Sequence, residues 1–265
     1  MQPSDPEDLI RRPPAEMKSD SADSAPLVRL ERYQQLEHII RELPLHVAPY
    51  LELADIYMTA HRWIDARRVL EKAVERFPED LQARFLLEES QLARSQQLLA
   101  LTEREVAEEA SPLTQKKLED CRLELNGLRA RIFRSRLQRH PDQLELLVPL
   151  AESLQQLDCM EEAVEALRRA AAEPSLRAGA SFQLGKLLEK LGDVPAALSA
   201  YRRAALFRLP PPNQELKIKA LTAAVELSER HQLHHSAVRY LKLLRDLQPE
   251  DESCQERLKR LESKV

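Results

Sequence analysis

The chain has 265 residues and only four glycines, where average usage would supply about 18. Glycine provides the left-handed and tightly turned backbone of hairpins, bulges and phosphate-cradling loops, so its scarcity argues against all-β and doubly wound nucleotide-binding folds. The rest is 43% apolar, 32% charged and 4% aromatic, a helix-forming alphabet. The net charge of −4 gives no overall drive toward nucleic acid or an anionic membrane.

Residues 1–25 are rich in Pro, Ser, Asp and Arg, too polar to offset the entropy of ordering, and read as a disordered tail. That stretch has no apolar core of signal-peptide length, and no apolar run long enough to span a bilayer follows. Three scattered cysteines (Cys121, Cys159, Cys254) suit neither a disulfide framework nor a structural zinc site. The expectation is a cytoplasmic protein without cofactor, metal or membrane partner.

Seventeen prolines seem to oppose a helical reading. Seven of them form a ladder instead: Pro44, Pro78, Pro112, Pro141, Pro174, Pro210 and Pro249, in steps of 34, 34, 29, 33, 36 and 39 residues. Proline just beyond a helix is a stop signal, so the ladder marks units that end in a helix. A period near 34 is the length of a helix–turn–helix repeat.

Within 47–80, Tyr50, Leu53, Ala54 and Tyr57 share one helical stripe. A break near His61 and Arg62 follows, then a second stripe of Ala66, Leu70 and Ala73, closed by Pro78. Alternating small and large residues let two antiparallel helices approach closely. This unit resembles the tetratricopeptide repeat (TPR) family, departing from its signature only at Leu70, where an aromatic is usual. Three further units fit the same register. They carry Leu147, Leu150, Ala151, Leu154, Ala163, Leu167 and Ala170 (with Pro174 one place early), then Leu184, Gly185, Leu188, Ala197, Tyr201 and Ala204, then Leu221, Ala224, Val225, Ala237, Leu241, Leu244 and Pro249.

The expected fold is an all-α, right-handed TPR-type α-solenoid. Its parts are the tail 1–25, an N-terminal helix plus first repeat at 26–80, a segment 81–141, three repeats at 142–250, and a capping helix at 251–265. Segment 81–141 reads as a long central helical hairpin. Phe85, Leu92, Leu99 and Val106 recur every seven residues, and Ser111-Pro112 supplies a cap and a first-turn proline. A degenerate repeat is the alternative, since Leu87, Ala100, Ala107 and Pro112 also fall in phase. In the hairpin, Glu88 and Glu89 lie opposite Arg134 and Arg136, and Glu108 and Glu109 come near Lys116 and Lys117. In 251–265, Cys254, Leu258 and Leu261 give one apolar face, as a solenoid's terminal cap requires.

No catalytic motif emerges: the glycines form no phosphate loop, and neither a nucleophile elbow nor an H-E-x-x-H helix occurs. His231, His234 and His235 fall at an inter-helix turn, where packing is the leading reading over a metal. Paired carboxylates such as Glu161-Glu162 read as solvated helix faces. Arg122, Arg129, Arg131, Arg134, Arg136 and Arg139 make a basic stripe, suited to phosphate or an acidic partner, or paired locally.

The resemblance implies a non-catalytic scaffold or adaptor that holds a protein or peptide, of unknown identity, in a concave groove. By position the groove is lined by Leu51, Glu52, Asp55 and Met58, then Glu152 and Gln156, then Phe182, Lys186 and Glu189, then Thr222, Glu226 and Arg230. Leu51 and Asp55 occupy the places of the Lys and Asn clamp with which some family members grip acidic chaperone tails, which argues against that specialisation. A nucleic-acid-binding repeat using the 122–140 arginines, and a regulatory subunit of a separate enzyme, are the alternatives. Oligomeric state is not legible.

Overall fold

A computed structural model describes residues 24–42, 45–207 and 211–263, and every regular element among them is helical. The tail expected over 1–25 lies outside the described residues, save that Ser24 and Ala25 open the first helix. The ladder prolines Pro44 and Pro210 also lie outside them. Twelve α-helices are described: α1 (Ser24–Glu42), α2 (Ala48–Thr59), α3 (Trp63–Arg76), α4 (Leu81–Glu108), α5 (Pro112–Arg139), α6 (Leu147–Gln156), α7 (Met160–Ala172), α8 (Arg177–Lys190), α9 (Val194–Leu206), α10 (Gln214–Arg230), α11 (His234–Leu247) and α12 (Glu252–Glu262). By contacts the chain divides into two compact units, and the division falls between Arg94 and Ser95, inside α4.

In the first unit α2 and α3 form a helix pair. Tyr50, Leu53, Ala54 and Tyr57 recur at three- and four-residue steps on α2, and all four are buried. Ala66, Leu70 and Ala73 do the same on α3. The alanines allow close approach while Leu36, Leu53 and Tyr57 fill the space between helices. Each buried leucine contributes roughly 1.5–3 kcal/mol.

The second unit holds three such pairs, α6/α7, α8/α9 and α10/α11, with α5 packed on α6 and α12 on α11. One apolar core runs from Ala130 through all three pairs to Leu261. Cys254, Leu258 and Leu261 turn inward from α12 while Glu252, Glu256, Lys259 and Arg260 stay exposed, which closes the core with a polar cap.

The proline ladder has a shared geometry. Pro78, Pro141, Pro174 and Pro249 each stand two residues beyond the last residue of α3, α5, α7 and α11. The residue before each proline has left the helical region, at ψ of 67°, 80°, 124° and 72°. The proline ring forces that departure, because it clashes with a helical predecessor. Pro112 differs, standing in the first turn of α5, where its missing N–H has no partner to lose.

The turns inside the four repeats share a second geometry. His61, Asp158, Gly192 and Gln232 have φ of 57°, 60°, 79° and 58°, and they hold the same place in their repeats. Each donates its N–H three residues back, and the next residue donates five residues back; Arg62 N–H reaches Tyr57 O at 2.8 Å and Leu233 N–H reaches Ser228 O at 2.8 Å. This is a Schellman ending, which satisfies two otherwise orphaned carbonyls per turn.

Helices α4 and α5 have 28 residues each. Within the second unit, the C-terminal half of α4 faces α5: Lys117 pairs with Glu105 at 2.5 Å, Arg122 with Glu103 at 3.3 Å, and Thr102 Oγ1 lies 3.7 Å from Cys121 Sγ. Lys117 thus meets Glu105, one turn before the expected Glu108 and Glu109. At the tip, Ser111 accepts from the Thr114 N–H at 3.1 Å, and Thr114 Oγ1 accepts from the Ser111 N–H at 2.9 Å. Ser111→Ala removes half of this capping box. It is expected to cost about 1 kcal/mol and to speed amide exchange at residues 113–115. Unchanged exchange there would mean the cap does not hold the tip.

Candidate protein-interaction face

The expected groove residues fall in both units. In the first unit all four lie on α2. Glu52 and Asp55 are exposed, and Glu52 accepts two hydrogen bonds from the Arg32 guanidinium, at 2.6 and 2.8 Å. That guanidinium holds the Glu52 carboxyl below its ordinary range. Leu51 and Met58 are half-buried and packed against the unit's core clusters.

In the second unit the residues come from the first helix of each repeat. Glu152 and Gln156 on α6 are exposed, as are Lys186 on α8 and Glu226 and Arg230 on α10, while Thr222 on α10 is half-buried. Helical spacing of four (152/156, 182/186, 222/226/230) sets each group on one face of its helix. Phe182 is half-buried; its ring lies 5.9 Å from that of Tyr201, and the Lys186 ammonium sits 4.7 Å above it. Leu51, Met58 and Phe182 therefore commit much of their apolar surface to their own units.

Glu189 is the junction of this face. It accepts from Tyr201 Oη at 2.7 Å and from Arg230 Nη1, one repeat on, at 2.8 Å. Burial first, and then the bond to Glu189, push the Tyr201 hydroxyl well above its ordinary pKa, while Arg230 opposes the shift. A second junction was not foreseen from the sequence. Arg257 of α12 donates to Glu229 of α10 at 2.7 Å, with Arg260 at 3.7 Å, so the cap is tied to the last repeat. Both Arg257 and Glu229 are less than one-third exposed, which places this pair above the typical surface ion pair. The spacing of 28 residues hides it from any helical-periodicity reading.

Arginines of the α5 stripe are engaged within the second unit. Arg122 binds Glu103, and Arg134 donates to Glu162 of α7 at 2.5 Å. Arg139 Nε donates to the Ser135 carbonyl. Arg129 and Arg131 lie on the same helix, half-buried and exposed respectively, and Arg136 is half-buried.

His231 and His235 are exposed, while His234 is half-buried and opens α11. Trp63, Met160 and Val194 open α3, α7 and α9 in the same way. No group of three or more His, Cys, Asp or Glu among the described residues is placed to hold a metal ion. No described helix is long and apolar enough to cross a membrane.

Family models described as tetratricopeptide repeat match residues 47–89 and 150–213. Those spans cover α2 and α3 of the first unit and the two pairs from α6 to α9 of the second. This chain carries tetratricopeptide repeats. The TPR reading joins the matched pairs to α10/α11, which repeats their turn and proline stop. Solved TPR structures are similar in fold. YrrB, described as a TPR protein with an unusual peptide-binding site, is 17% identical, with 84% of this chain and 97% of that one covered and a TM-score of 0.47. MamA is also 17% identical, covering 76% of this chain and 97% of its own, with a TM-score of 0.44. A thermophilic TPR protein of Thermus thermophilus, TTC0263, is 18% identical, covers 75% and 94%, and has a TM-score of 0.36. No curated protein sequence matches this chain. TPR proteins are in general protein-interaction scaffolds and not catalysts.

Proposed function

We propose that this TPR protein is a non-catalytic adaptor that binds a peptide or protein segment across the first helices α6, α8 and α10 of its second unit. The observation that carries the reading is the set of exposed polar side chains presented by three successive first helices: Glu152 and Gln156, Lys186, then Glu226 and Arg230. The Glu189–Arg230 bridge links two of those helices and orients the face. Self-paired charges beside unpaired ones, with Phe182 half-covered between them, suit a partner read by charge and one apolar contact. The α5 arginines support a nucleic-acid role less well, because Arg122 and Arg134 already hold carboxylates of the same unit.

The test is affinity capture with the intact protein beside a Lys186→Glu/Glu226→Arg variant. Both positions are exposed, so the fold is preserved. The variant is expected to lose its captured partners while an Arg122→Gln control keeps them. Recovery of the same partners by the Lys186→Glu/Glu226→Arg protein would refute binding on this face.

A further inference from the structure

Helices α9 and α11, the second helices of consecutive repeats, border a cleft of about 340 Å³ lined by Ser199, Arg202, Arg203, Leu206, Phe207 and Arg239. Its lining holds three guanidinium groups and no carboxylate. The reason is in the helices themselves. Residues 194–206 contain no acid at all, and residues 234–247 contain one, Asp246, which Arg245 holds at 3.1 Å. Arg202, Arg203 and Arg239 make no ion pair or side-chain hydrogen bond with any described residue. Arg122 and Arg134 of the α5 stripe, by contrast, have carboxylate partners. Three like charges gathered from two helices repel one another unless an anion sits between them.

The apolar wall of the cleft is fixed. Arg177 lies 4.0 Å above the Phe207 ring and donates to the carbonyls of Ala171 and Ala172 at the end of α7. Arg177 occupies one face of the Phe207 ring, which leaves less of it for stacking a nucleobase. The three cations line a single cleft. A single carboxylate is satisfied by one guanidinium fork, whereas a phosphate monoester dianion has three oxygens to meet forks from both helices. Ser199 adds a hydroxyl donor at the rim, and Leu206 with Phe207 gives an apolar side chain a place beside the anion.

We propose that this cleft binds a phosphorylated serine or threonine within a peptide, with an apolar neighbour resting on Leu206 and Phe207. Arg202 and Arg203 would approach the phosphate from α9 and Arg239 from α11. The site is independent of the α6–α8–α10 face.

The probe is a fluorescein-labelled peptide with one phosphoserine followed by leucine in a glycine-alanine background, its anisotropy read against the full chain. It is expected to bind at least about tenfold tighter than its unphosphorylated form, the effect of one or two charge-assisted bonds. Arg203→Gln and Arg239→Gln should each weaken it by about tenfold. Both side chains are exposed, so circular dichroism should be unchanged, and the Lys186→Glu/Glu226→Arg variant should bind the phosphopeptide normally. Equal binding of the unphosphorylated peptide, or unchanged affinity in both arginine variants, would overturn the proposal. So would inorganic phosphate competing as well as the peptide, which would assign the cleft to small phosphates. Oligouridylate binding more tightly than the phosphopeptide would overturn it in favour of nucleic acid.

Discussion

Gly185→Ala is expected to destabilise the second unit by about 1–3 kcal/mol, the range for forcing a methyl into a packed core. A Cβ at this position would come within 2.5 Å of Tyr201 Cδ1 and 2.6 Å of Cε1. These are ring atoms, and the ring cannot step aside: Tyr201 is fully buried and its hydroxyl is held by Glu189. Repeats one and two solve the same contact with the opposite sizes, Ala54 with Leu70 and Ala151 with Leu167. Tyr201→Leu alone should cost about 2–4 kcal/mol through the cavity and the lost hydrogen bond. The double variant recreates the alanine–leucine pairing, so its cost should fall short of the sum by about 1–2 kcal/mol. Urea denaturation of the four proteins completes the cycle. Simple additivity would show that the two side chains do not share the space in the way described.

Glycine at the three left-handed turn residues is expected to stabilise the chain by about 1.5–3 kcal/mol in total. His61, Asp158 and Gln232 adopt φ near 60°, where a Cβ crowds the following carbonyl, and only Gly192 avoids that cost. The gains should be unequal. Gln232 has no compensation and gains most. Asp158 tolerates this region better as a residue type, because aspartate is enriched there over most non-glycine residues. His61 gives up its edge contact with Trp63, at 5.5 Å between ring centroids. Gly192→Ala should move stability the other way by about 1 kcal/mol. Thermal unfolding of the single variants checks the order Gln232, then Asp158 and His61; a uniform loss of stability would contradict the turn geometry.

Much of this architecture was legible because it is periodic. Positions three and four apart bury Tyr50, Leu53, Ala54 and Tyr57, and a proline placed after a helix can be read without coordinates. What was not legible has no period. Glu229 and Arg257 meet across 28 residues, and Arg239 joins Arg203 from a different helix. The α5 arginines stood out because they are adjacent in sequence, yet two of them are spent on Glu103 and Glu162. Adjacency in sequence marked charge density; only folding shows which charge is left over. Phe182 likewise read only as a groove-lining residue, since its stripe says nothing of Lys186 and Tyr201 closing over it.

Within the second unit each helix from α6 to α11 packs chiefly on the one before it and the one after. Such a chain has no distant pairing to wait for, so its ordering can start at any pair and spread. Loss of order can start in the same way at the end, with α12 opening more readily than the pairs behind it. The same independence bears on descent. A helix pair could be duplicated or deleted at a proline stop and disturb only the pairs on either side of the join.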